Sequence, residues 1–157
     1  MKKFLCSAII IVLLGAVTAL VLRFIVFGQT QPASQTAADK RTVVIVTEAE
    51  RAFILGEMRT KLAGIQQILQ AGLNQDMPAI VAAAEPLGMK GANNAPRGLM
   101  SKLPLAFKKL GLSSHRAFDQ IALDGKDLGD VEYSLGQLND VLGNCVACHA
   151  AFRLQTN

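Results

Sequence analysis

Hydrophobic and polar positions alternate along this chain in two regimes. From Phe4 to Leu22 the side chains are uncharged, with Lys2 and Lys3 before the run, Arg23 after it, and a short apolar resumption over residues 24–27. Nineteen such residues at about 1.5 Å rise each span roughly 28 Å as a helix, close to the thickness of a bilayer's hydrocarbon core. That pattern predicts a transmembrane helix or signal anchor over residues 1–28. Beyond residue 47 the apolar positions recur at steps of three and four. Met58, Leu62, Ile65 and Leu69 line one face of a first helix. Leu135, Leu138, Leu142, Cys145, His149 and Phe152 line one face of a last helix.

Local signals divide the second regime. Thr47 and Glu50 make a capping box that starts the first helix, which runs to about Gly72. Asp76 caps a second helix, with Pro78 tolerated in its first turn. Residues 88–111 are rich in Gly, Asn and Pro and predict an irregular crossover, with a helical turn near 97–103. Ser113 or Ser114 caps a third helix to about Asp124, and a fourth starts near Asp130 and continues almost to the end. The polar stretch after residue 28 reads as a linker. The apolar segment TVVIV (42–46) either packs against the domain or leads into it. The expected architecture is all-α: an antiparallel four-helix bundle with one long crossover over residues 47–157. A linker (29–46) and a transmembrane helix (1–28) precede it.

Charge refines the picture. The chain of 157 residues carries a formal +4, but three of its sixteen Lys and Arg lie in the first 28 residues, beside no acidic side chain. The remainder holds 13 basic against 12 acidic residues, a poor electrostatic footprint for nucleic acid. Lys2 and Lys3 hold the N-terminus in the cytoplasm, so the domain is expected on the periplasmic face of a bacterial inner membrane. The cleavage candidates, Val26-x-Gly28 and Thr36-x-Ala38, are weak, which favours a retained anchor; a cleaved segment would leave a free periplasmic protein. Cys6 falls within the apolar run and reads as membrane filler.

The candidate chemistry lies in Cys145-x-x-Cys148-His149. Two thiols at this spacing add to the vinyl groups of haem, and the adjacent imidazole bonds the iron, which predicts one covalently bound haem c. A thioredoxin-like pair needs a βαβ setting that the pattern lacks. A zinc site needs more ligands than His115, the one other histidine, supplies. A disulfide across Cys-x-x-Cys within a helix has poor geometry. No methionine follows His149, so a methionine ligand would come from upstream. Met58, mid-helix on the core face, is better placed than Met77, Met89 or Met100, though ordinary core filling explains it equally well. His115, behind two serines, is expected to be a solvated helix-start residue. Lys90, Arg97, Lys102, Lys108 and Lys109 form either a docking face for an acidic redox partner or a solvated loop.

The segment CVACHAAFR on a last helix resembles the class II cytochromes c, the family of cytochrome c prime and its low-spin relatives. The likeness covers about residues 47–155, and its anchor is Cys145, Cys148, His149 and the following Phe152-Arg153. The first-helix segment EMRTKLAGIQQIL is similar to the methionine-ligated branch, which implies that Met58 is the distal ligand opposite His149. In the five-coordinate branch an apolar side chain covers that side, and Leu55 or Leu62 would take the part. The resemblance places Phe152 and Arg153 beside the haem, Arg153 acting on its electrostatics; complementing the helix dipole explains Arg153 as well. The function expected is a membrane-anchored monohaem cytochrome carrying single electrons between redox partner proteins. No catalytic acid or base stands beside the haem, so no enzyme is expected. Two alternatives are a five-coordinate haem protein binding nitric oxide or carbon monoxide, and a haemless helical interaction domain with a disulfide. Monomer and homodimer both remain open.

Overall fold

The computed structural model describes residues 2–25, 39–92 and 94–157, with side chains of the first stretch described over 12–23. It divides into two compact units, Met1–Asp39 and Lys40–Asn157. The first contains helix α1 (Lys2–Ile25), whose side chains over 12–23 are exposed. Among the described residues no helix is long and apolar enough to cross a membrane. The expectation of a spanning helix rests partly on side chains outside the described residues, as does the linker over 29–38.

The second unit is mostly helical. Strand β1 (Thr42–Val46) leads into α2 (Glu48–Leu73). The capping box forms as expected: the Thr47 hydroxyl accepts from the Glu50 amide at 3.2 Å, and Glu50 Oε2 accepts from the Thr47 amide at 2.8 Å. Asp76 caps α3 (Met77–Ala84), accepting from the Ala79 amide at 3.0 Å. A 3-10 turn (Glu85–Leu87) and two short helices, α4 (Met89–Ala92) and α5 (Leu99–Lys102), carry the chain to α6 (Leu105–Leu128). Gly129, at φ +65°, makes the left-handed turn into α7 (Val131–Ala151), which Asp130 caps. Strand β2 (Phe152–Thr156) then pairs in parallel with β1, Thr42 opposite Phe152 and Val46 opposite Thr156.

Four helices contribute to the main core. Ile65 and Ile68 of α2, Ile80 of α3, Phe118 and Ile121 of α6 and Leu138 and Val141 of α7 are buried together. A smaller cluster joins Val44 and Val46 of β1 to Ile54, Leu99 and Leu103, with Met58, Phe107, Phe152 and Leu154 packed against it. β1 and β2 each turn alternate side chains into this cluster, as the period of a strand requires.

The structure corrects several local expectations. TVVIV is a strand rather than the end of a linker, and the last helix stops at Ala151 because Phe152–Thr156 pairs with it. On α2, Leu62 is 67% exposed and Leu69 45%, while Gly64, Ile68 and Gly72 face inward. The reason is contact distance. A Cβ on Gly64 would stand 2.4 Å from Leu87 Cδ1, and one on Gly72 2.9 Å from Leu135 Cδ2. The buried face is the one whose glycines permit close approach, not the one richest in leucine. On α7, Val141 is fully buried and Leu142 lies at the surface. Helix α6 begins at Leu105, eight residues before Ser113, its first turn closed by the Lys108 amide on Pro104 O at 3.0 Å. Ser114 is therefore mid-helix, its hydroxyl donating to Leu110 O at 3.0 Å.

Candidate cofactor site

Helical spacing sets the site's proximal wall. Cys145, Cys148 and His149 lie three and four residues apart on α7, and all three line one cavity of about 360 Å³. α2 supplies Phe53, Ile54, Glu57, Met58 and Lys61, and α6 supplies Phe107, Lys108, Gly111 and His115. Met89, Leu99 and Met100 add side chains from α4 and α5. The volume is at the small end of the range of about 300–1,000 Å³ usual for ligand pockets. Both structural clusters border it, since Cys145 packs on the main core and Met58 on the smaller one.

Cys145 and Cys148 are free thiols, each partly buried. Burial pushes both up from the ordinary thiol value; the Lys61 ammonium draws Cys145 partly back, while Cys145 adds to the rise at Cys148. Lys61 also pairs with Glu57 at 3.2 Å, one turn earlier on α2. His149 is exposed on its outer side, and its backbone carbonyl accepts from Arg41 Nη1 at 3.3 Å. Arg41 thus ties the approach to β1 onto the last turn of α7, where a cation complements the helix dipole.

His115 departs most from expectation. It is mid-helix and only 9% exposed. Its Nδ1 lies 2.8 Å from Leu87 O and 3.0 Å from Gly88 O. Carbonyls only accept, so Nδ1 carries the proton and donates to both. One helical turn on, Asp119 Oδ2 accepts from the Met89 amide at 3.0 Å, and a Cβ on Gly88 would stand 1.7 Å from Asp119 Oδ1. α6 therefore grips the backbone of residues 87–89 at two levels. The far side of the crossover is fastened by Lys102, whose Nζ reaches both Glu50 oxygens at 2.8 and 3.0 Å.

Of the residues expected at the site, Cys145, Cys148, His149 and Met58 share the cavity, and Leu55, Leu62, Phe152 and Arg153 do not line it. Leu62 points to solvent. Phe152 stands behind the wall, its ring edge-on to Phe107 with centroids 5.4 Å apart. Arg153 lies on β2, not one helical turn beyond His149, and its Nη1 donates to Gln155 Oε1 at 3.3 Å. Sequence reasoning set His115 aside as a solvated helix-start residue, missed Lys61 and Arg41, and left Lys102 and Lys108 between a docking face and a solvated loop. The i, i+7 spacing of Lys108 and His115, two turns apart on one helix face, was the available signal once α6 is started at Leu105.

Among the described residues no three His, Cys, Asp or Glu side chains gather as a metal site. The donors present fit a covalently held haem instead: two reduced thiols at the attachment spacing, an adjacent imidazole and a thioether on another helix, around a largely apolar cavity. Comparison with known proteins found no matching family model, no matching curated protein and no matching solved structure.

Proposed function

We propose that this chain is a monohaem c-type cytochrome of the class II kind, a four-helix bundle that carries single electrons. One observation carries the reading: Cys145, Cys148 and His149 open onto the same cavity as Met58. When bound, haem supplies one-electron Fe(III)/Fe(II) chemistry. Cys145 and Cys148 would hold it through thioethers, His149 would be the proximal ligand, and Met58 the distal one. Phe53, Ile54, Leu99, Leu103 and Phe107 form an apolar wall that limits water, and burial with a thioether ligand favours the reduced state. No acid or base is assigned a catalytic part.

The N-terminal apolar segment would tether the domain at the periplasmic face of an inner membrane, raising the local concentration of membrane redox partners. The exposed Lys90, Arg97 and Lys109 would present positive charge to an acidic partner.

The test is the visible spectrum of the purified protein when oxidised, reduced, and reduced under carbon monoxide. A sharp low-spin spectrum indifferent to the gas supports electron transfer. A high-spin spectrum that shifts with the gas would replace it with a five-coordinate gas-binding protein. A chain without haem would end both readings.

A further inference from the structure

We propose that His115 is a second ligand for the sixth position of the iron, a nitrogen donor held in reserve behind Met58; this rests on the haem reading above. The imidazole is nine-tenths buried and lines the cavity shared by Met58 and His149. Its Nδ1 proton is committed to the carbonyls of Leu87 and Gly88. That leaves the lone pair on Nε2, which has no hydrogen-bond partner among the described residues. A ring nitrogen fixed as donor to backbone carbonyl, with the other left bare, is the arrangement that orients metal-ligating histidines and raises their basicity.

The bare nitrogen is not sealed in the core, which leaves it accessible from the cavity that Met58 and His149 also line. The two candidate donors reach the cavity from helices on either side of the one bearing His149: α2 and α6 both pack on α7. Their chemistry differs, since a thioether is a soft donor and an imidazole nitrogen a harder one. Met58 is expected to hold the reduced iron, and His115 gains most when the iron is oxidised or the thioether is lost.

The experiment uses the full chain with attached haem, as wild type, Met58→Ala, His115→Gln and the double variant. Glutamine keeps an N–H donor for the Leu87 and Gly88 carbonyls but removes the imidazole. Haem content is read first from mass and the pyridine haemochrome. A wild type lacking haem ends the cytochrome reading and this proposal with it, whereas haem-loaded variants test the proposal alone. Ferric Met58→Ala is expected to remain low-spin, losing the near-infrared methionine band and gaining the resonance signature of two nitrogen ligands. His115→Gln alone should keep the methionine band, and the double variant should turn high-spin and bind carbon monoxide.

A Met58→Ala protein as high-spin and gas-reactive as the double variant overturns the proposal. So does a methionine band that survives in Met58→Ala, which would assign the position to Met89 or Met100. Should His115→Gln fail to fold by circular dichroism, Met58→Ala grown with isotopically labelled histidine decides. A second coordinated histidine nitrogen supports the assignment, and a single one refutes it.

Discussion

Replacing Gly64 with alanine probes how α2 seats on the core, because the expected sign opposes that for an ordinary helical glycine. Alanine in a helix interior is favoured over glycine by about 1 kcal/mol. At Gly64 the new methyl would stand 2.4 Å from Leu87 Cδ1 and 3.1 Å from Cδ2, and Leu87 is only 4% exposed. Crowding a packed core costs about 1–3 kcal/mol, so the net effect runs from roughly neutral to about 2 kcal/mol of lost stability. Gly136, on the exposed side of α7, has nothing within 4 Å of its would-be Cβ. Gly136→Ala should gain about 1 kcal/mol. The two variants should therefore differ by about 1–3 kcal/mol, or roughly 4–12 °C in melting temperature for a domain of this size. Thermal denaturation followed at the helical circular-dichroism signal measures it. Equal stabilisation of both would show that Leu87 does not cover Gly64, and the account of the α2 face would fail.

Three further outcomes follow from named contacts. Lys102 and the Thr47 amide hold the Glu50 carboxyl below its ordinary value, so its contribution is complete above the unfolded carboxylate value and disappears as pH falls through the lower folded one. Lys102→Met should flatten that acid limb in denaturation curves, and an unchanged limb would remove the pair from the account. In haem-free protein at neutral pH, Cys145 and Cys148 should alkylate more slowly than an unstructured cysteine, accelerating as pH rises; Lys61→Met should slow Cys145 further. Val46→Ala empties part of a side chain that is 1% exposed, and should cost about 2 kcal/mol by urea denaturation; a loss under 0.5 kcal/mol would mean the strand pair carries little of the fold.

What was legible in the sequence was local. Thr47, Asp76 and Asp130 announce helix starts through side-chain caps that act within three residues, and all three caps form. Cys145, Cys148 and His149 likewise share one turn of one helix. What escaped notice was settled by partners distant in the chain. Leu62 and Leu69 look like core residues until Leu87 and Leu135 press against Gly64 and Gly72. β1 needs a partner over a hundred residues away, so no local pattern reveals it. His115 was misplaced because Ser113 and Ser114 read as helix caps after an irregular crossover, whereas both lie within a helix of 24 residues begun at Leu105. That one boundary moves an imidazole from solvent into the cavity.

The parallel pairing of β1 with β2 also imposes an order of events during synthesis. Thr42 must wait for Phe152, 110 residues later, which at ribosomal speed is roughly 5–20 s. Through that interval a five-residue, valine-rich strand has no partner, the kind of segment that recruits other chains. Lys40 and Arg41 stand immediately before it, where flanking charge discourages such association. Arg41 thus acts twice in time: it guards a waiting strand during synthesis, and it later docks on the carbonyl of His149.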